Sequence, residues 1–309
     1  MKVAAKGVLK GSAERAGVAW DGTARALAAT DELYEIKAEL EDPAITYPAY
    51  YTQPFHAYDE GNLAWEPARE VEAATAAMGL RTFKDDAPAL TPLAAQAKLR
   101  AGIQDAIAAF ADETGARRPF VDILDVGCSA GVSSRALADA YPAATVTGLD
   151  LSPFFLAVAE LRERQLERGQ PDVGPLAVRG AIPRRPRVRY VHANAEAVPA
   201  PPSTYDLVAS VFVMHELRPA AIDGVVAEAA RVLRPGGVLA LADNDPRSAT
   251  IQNLPPALFT LMKSTEPWSD EYYCHDVEAS LRGAGFEEVR TVAADHRHRV
   301  VLGRKKVGD

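Results

Sequence analysis

The chain has 309 residues, 48% of them hydrophobic and 25% charged, with 34 Lys and Arg against 42 Asp and Glu and a formal charge of -8. That balance suits one large globular domain, or one domain with an extension, and excludes global disorder. A net-acidic chain is a poor general binder of nucleic acid or anionic membrane, and two cysteines, Cys128 and Cys274, make no disulfide framework.

No apolar run reaches the roughly 20 residues of a membrane span, and the first ten residues hold no secretory apolar core. Lys2, Lys6, Lys10, Arg15 and Arg25 make the start mildly basic. A transit-peptide remnant or a plain terminus would both look so. Up to residue 117 the chain is Ala-rich and reads as a helical extension. It is broken by a Pro- and Tyr-rich loop, PAITYPAYYTQPFHAYDEGNLAW, ending at Trp65. Thr91-Pro92 has the form of an N-cap and a first-turn proline, followed by Leu99, Ile103, Ile107 and Phe110 at helical spacing.

From residue 118 strands and helices alternate. The spacing predicts strands over 121–127, 144–150, 187–194, 206–214 and 238–243, with helices over 131–141, from Ser152-Pro153, and over 219–233. The last helix is expected to stop at Pro235-Gly236-Gly237. Two closing strands, 286–294 and 299–304, flank a turn at Asp295 and predict an antiparallel hairpin. Apolar strands alternating with amphipathic helices imply an α/β, doubly wound, mostly parallel sheet over 118–309.

The segment DILDVGCSAG, residues 122–131, carries the strongest chemical signal. A strand ends in an acid and runs through a glycine-flanked turn into a helix, which is how such a sheet opens a ligand crevice. Gly127 and Gly131 are spaced G-x-x-x-G, unlike the G-x-G-x-x-G of dinucleotide binders, and there is no P-loop. Asp150 ends the next strand 25 residues after Asp125. A carboxylate there can accept both hydroxyls of a ribose. HANAE follows the third strand, and VLRPGGVLAL precedes the fifth.

In these four motifs, across roughly 118–304, the chain resembles the class I S-adenosylmethionine-dependent methyltransferases. The family's first motif is an acid followed by G-x-G-x-G, with Ser129 here at the middle glycine. The resemblance implies a Rossmann-like seven-stranded sheet with S-adenosyl-L-methionine as cofactor. It implies that Asp125, Gly127, Cys128, Ser129 and Gly131 cradle the cofactor, that Asp150 takes its ribose, and that Leu151, Asn194 and Ala195 lie at its adenine. YDEGN, 58–62, is similar to the N-terminal Y-D-x-G-N of cyclopropane-fatty-acid synthases, which implies a cofactor contact for Tyr58. The loop above and IQNLPPALFTLMKSTEPWSDEYY are similar to segments of a plant and algal group, many of them plastid-directed. The expected location is therefore cytoplasm or plastid stroma.

The function expected is methyl transfer to a small, hydrophobic or aromatic acceptor. His215, in VFVMHEL after the fourth strand, is the candidate base, and Glu216 could orient it or act alone. Tyr51, Phe55, Met262, Trp268 and Tyr272 are candidate acceptor contacts. ADND, 242–245, sits where catechol-type enzymes bind magnesium, but Met214 stands where their other acid belongs, so no metal is expected. Cys274, His275, His296 and His298 lack zinc spacing. Residues Arg179, Arg184, Arg185, Arg187 and Arg189 form a basic run, read as a solvated loop or a phosphate contact. The chain lacks the N/D-P-P-Y/F/W of amino-directed nucleic-acid enzymes. Two alternatives stay open: a non-catalytic S-adenosylmethionine-binding regulator, and an NAD-dependent oxidoreductase.

Overall fold

In the computed structural model, residues 2–86, 88–170 and 188–307 are described. Five helices come first: α1 (Lys2–Arg15), α2 (Trp20–Ala28), α3 (Glu32–Leu40), α4 (Trp65–Thr82) and α5 (Pro92–Thr114). Thr91 caps α5 as expected, its Oγ1 accepting the Ala94 N–H at 3.2 Å, with Pro92 in the first turn.

The second part alternates β1 (Asp122–Val126), α6 (Val132–Ala140), β2 (Thr145–Asp150), α7 (Pro153–Glu167), β3 (Val188–His192), β4 (Tyr205–Val211), α8 (Pro219–Val232) and β5 (Leu233–Asn244). Short helices α9 (Ala249–Gln252), α10 (Pro256–Lys263), α11 (Ser269–Cys274) and α12 (Val277–Gly283) lead to β6 (Phe286–Ala293) and β7 (His298–Lys305). The strands form one sheet in the order β3-β2-β1-β4-β5-β7-β6. β1 to β5 pair in parallel and β7 pairs antiparallel with both β5 and β6. This is the predicted seven-stranded, doubly wound sheet with its closing hairpin.

Alternation along the strands divides the core. Ile123, Val146, Leu207 and Val238 face one way, with Ile103, Ile107 and Phe110 of α5 and Leu137 of α6. Leu124, Val126, Val208 and Leu239 face the other, with Ile222, Val226 and Ala229 of α8. Full burial of each aliphatic chain stabilises by about 1.5–3 kcal/mol, which fixes the strand register. The extension is packed on the same body: Leu27, Leu33, Ile36 and Ala68 meet Phe155, Val158 and Leu161 of α7.

Three boundaries differ from expectation. β4 stops at Val211, because Phe212 takes φ 63° and turns the chain; Met214, His215 and Glu216 then form one 3-10 turn. His215 therefore lies beyond the strand rather than on its end. Helix α8 ends at Val232, before the Pro-Gly-Gly bend, and that bend falls inside β5 beside a register shift between Tyr205 and Leu207. Of the basic run, Arg179, Arg184, Arg185 and Arg187 lie outside the described residues. Arg189 donates from Nε to Thr147 Oγ1 at 2.9 Å. Among the described residues no helix is long and apolar enough to cross a membrane.

Candidate active site

The strand order reverses direction between β1 and β4, and a crevice opens at the carboxyl ends there. It forms a cavity of about 510 Å³, lined by strand-end residues, the N-terminal loop and the segment after β5. That volume suits small molecules.

The turn after β1 makes the cavity floor. Gly127 has φ 67°, and a Cβ there would stand 2.6 Å from Val213 Cγ2. Gly131 has φ 75°, and a Cβ would strike the Tyr190 hydroxyl. Only glycine serves at both positions. Ser129 between them also takes a left-handed φ of 50°. Its N–H donates to Asp150 Oδ2 at 2.8 Å, and the Ser152 N–H donates to Asp150 Oδ1 at 2.8 Å. Burial pushes the Asp150 carboxyl up to about 6; those two donors oppose the rise, and Glu216 and Asp125 add to it. Asp125 lies behind the floor. Its Oδ2 accepts from Ser133 and Ser134 at 2.7 Å each, and burial lifts it to about 6 as well.

At the β3 end, Asn194 and Ala195 line the cavity. His192 below them accepts the Asp42 N–H at Nδ1 (2.9 Å), so its Nε2–H donates to Leu151 O at 3.0 Å.

Beyond β4, His215 is 7% exposed, and its Nδ1 lies 2.9 Å from Asp243 Oδ1. The His215 N–H also donates to Asp243 Oδ2 at 3.1 Å. Burial disfavours the charged ring, but Asp243, with Glu266 and Glu216, outweighs it and raises the His215 pKa. His56 and Glu266 stand beside the ring, the two imidazole centroids 6.3 Å apart. The ligand-type atoms of these three side chains lie within 4.8 Å of one another, the composition of a metal site. Glu266 stands 3.7 Å from His56 Nε2, and the His56 N–H donates to Thr265 O at 2.8 Å. Glu216, its pKa raised by burial, accepts from Asn62 Nδ2 at 2.9 Å. Asn62 O accepts from Ser152 Oγ at 2.7 Å, so one residue of the N-terminal loop ties both halves of the cavity together.

The region 124–241 matches the family described as "Methyltransferase domain". An uncharacterised methyltransferase of Synechocystis sp. (strain ATCC 27184 / PCC 6803 / Kazusa) is 31% identical over 173 residues, which are 56% of this chain and 69% of that protein. The chain belongs to the class I S-adenosylmethionine-dependent methyltransferases. Its fold is also similar to two solved structures. A candidate O-methyltransferase of Nostoc punctiforme PCC 73102 is 20% identical, with TM-score 0.51 over 92% of this chain and 72% of that one. Human N-acetylserotonin methyltransferase, in complex with SAM, is 13% identical, with TM-score 0.50 over 91% and 69%. The cofactor of the methyltransferase is S-adenosylmethionine, which sets aside the nicotinamide alternative.

The residues fit that cofactor. The floor turn passes two glycines where a Cβ would strike Val213 or Tyr190, so the main chain itself is presented at Gly127. Around it lie buried polar atoms with no partner among the described residues: Ser129 Oγ, Asp125 Oδ1, and Nε and Nη1 of Arg100. Of the residues expected from sequence, Gly127, Cys128, Ser129, Asp150, Leu151, Asn194, Ala195, Tyr58, Tyr51, His215 and Glu216 all line the cavity. Asp125 and Gly131 support it from behind.

The remaining candidates are placed differently. Tyr58 presents its ring, but its hydroxyl donates to Glu70 Oε2 at 2.7 Å. Phe55 is buried against His56, with ring centroids 4.1 Å apart, and is not among the lining residues. Tyr272 is 2% exposed, because α11 packs it into the sheet-end core, where its hydroxyl donates to Asn244 O at 3.1 Å. Trp268 sits under the Arg218 guanidinium, 5.2 Å from the ring centre, and is likewise not a lining residue. The Met262 side chain lies outside the described residues. Sequence reasoning missed His56, Asn62, Arg100, Asp243 as a histidine partner, and Glu266.

Proposed function

We propose that this methyltransferase moves a methyl group from S-adenosylmethionine to a small, largely apolar acceptor whose proton leaves to His215. The bound cofactor supplies the electrophilic methyl. Asp150 accepts the two ribose hydroxyls, Leu151 packs beside the adenine, and Asn194 and Ala195 meet its amino edge. The main chain from Gly127 to Gly131, with Cys128 and Ser129, follows the methionine end, and Arg100 takes its carboxylate. Residues 1–117 act as a cover over domain 118–309 and exclude water, with Tyr51 and Tyr58 as part of the roof.

The observation that carries this reading is the His215–Asp243 pair. A carboxylate on Nδ1 fixes the tautomer of the neutral ring and leaves Nε2 as its proton-accepting nitrogen, in a residue that lines the cavity. Glu216, held by Asn62, stands beside it as a second acceptor. Displacement itself depends on alignment, which the buried walls impose.

The test is transfer of labelled methyl from the cofactor to a metabolite panel by wild-type protein and by His215→Ala. Loss of transfer with retained S-adenosylhomocysteine binding supports the proposal. Equal turnover by the variant rejects His215 as base. Tight cofactor binding without transfer to any acceptor supports a regulatory protein instead.

A further inference from the structure

Three guanidinium groups, Arg81 at the end of α4, Arg100 in α5 and Arg297 in the β6–β7 turn, line the cavity. Among the described residues Arg81 has no hydrogen-bond or ion-pair partner, and Arg100 has two buried nitrogens unmatched. Arg81 as a whole residue is solvent-exposed, but the protein packed around its head group, and then the charge of Arg297, press its pKa down to about 10. Two like charges lining one cavity repel each other, and a ligand anion between them would relieve that repulsion.

Geometry separates the three. Arg100 lies toward the cofactor floor, where the nearest acid acting on it is Asp125. Arg297 belongs to the other end: its Nε donates to Asn244 Oδ1 at 3.1 Å. Asn244 directly follows Asp243, the partner of His215. Arg297 is thus held at a fixed offset from the proton-accepting ring. Phe83, two residues after Arg81, packs edge-on against His296 with centroids 6.1 Å apart, which brings the end of α4 to the same turn. The planar fork of a guanidinium matches a carboxylate in two parallel hydrogen bonds.

We propose that Arg81 and Arg297 form a carboxylate subsite for the acceptor, so that the methylated molecule is an organic acid with an apolar body. This rests on the methyl-transfer reading above and names its substrate class. The acid's carboxylate is clamped at the arginine end, its apolar part fills the cavity, and the nucleophile points to His215.

The probes are benzoate and octanoate against their neutral amides, titrated into protein saturated with S-adenosylhomocysteine, for wild type, Arg81→Gln, Arg297→Gln and Arg297→Lys. Wild type is expected to bind at least one acid ten times more tightly than its amide. Each glutamine variant should erase most of that preference, and the lysine variant should keep part of it. S-adenosylhomocysteine affinity serves as the control for folding. The proposal is overturned if neither acid beats its amide, or if the preference survives both glutamine changes. It is also overturned if these changes weaken S-adenosylhomocysteine but not 5′-methylthioadenosine, which lacks the amino-acid end; the pair would then serve the cofactor. A wild-type protein that binds no S-adenosylhomocysteine overturns the methyl-transfer reading and this one with it. Failure of the acids alone overturns only the subsite.

Discussion

The Asp150 carboxylate accepts the Ser129 N–H at 2.8 Å, so the acid that ends β2 also ties down the turn after β1. One acid thereby couples the turns that follow β1 and β2. Asp150→Asn leaves a single acceptor oxygen where two backbone donors now have one oxygen each. Losing charge-assisted hydrogen bonds to the ribose should cost about 2–3 kcal/mol, or roughly 30- to 150-fold in affinity. Calorimetry with S-adenosylhomocysteine measures it; an unchanged affinity would remove Asp150 from the ribose.

The same carboxyl predicts a pH dependence. Its folded value, about 6, lies above the ordinary carboxylate range, because burial favours the neutral form. In the proposed ribose contact the ionised form is required, so affinity should strengthen as pH rises, by roughly tenfold per unit below about 6, and level off above it. Protons should be released on binding near pH 6, readable as a buffer-dependent heat. By the same sign, the free protein gives up some stability as pH rises through this window.

Ser129 offers a test of the loop itself. A non-glycine residue at φ 50° carries strain of about 1 kcal/mol or more, partly offset by the lower entropy of serine in the unfolded chain. Ser129→Gly should raise the melting temperature of the free protein by roughly 2 °C. A fall would mean that the serine hydroxyl, which has no protein partner among the described residues, is held by something the glycine cannot replace.

Much of this frame is legible in the residues. Buried parallel strands are continuous apolar runs, so β1, β2 and β4 appear directly, and the acids closing β1 and β2 mark the crevice. The other wall of the cavity follows no local period. His56 and Glu266 meet only because two loops join through the His56 N–H and Thr265 O, 2.8 Å apart. ADND was legible as an acid-rich strand end, but its service to His215 depends on the turn at Phe212, which periodicity does not report. Aromatic residues mark apolar surroundings without telling core from cavity. That is why Tyr51 lines the site while Tyr272 is packed beneath it.

The His56, His215 and Glu266 cluster makes a prediction about metals. His215 Nδ1 is engaged by Asp243, and Glu266 already faces His56, so each imidazole has a carboxylate partner without a metal. Methyl transfer should survive exhaustive dialysis against EDTA. A loss restored by one divalent ion would show the cluster to be a metal site and replace the proton-acceptor role of His215.

Asp243 sets the pH at which His215 accepts a proton. Its negative charge raises the His215 pKa against the opposing effect of burial, so the ring is mostly charged in the free protein near neutrality. A base must be neutral to act, so kcat should climb with pH through the His215 value and then level. Asp243→Asn withdraws the charge, which should move that rising limb to lower pH while reducing the plateau, because the weaker base is also less firmly aimed. His215→Ala should remove the limb and lower kcat by about 10²–10⁴-fold. Neither change should alter S-adenosylhomocysteine affinity beyond about threefold, since neither side chain meets Asp150 or the glycine turn. If instead Asp243→Asn lowers kcat equally at every pH, the pair positions the acceptor and the proton leaves by way of Glu216.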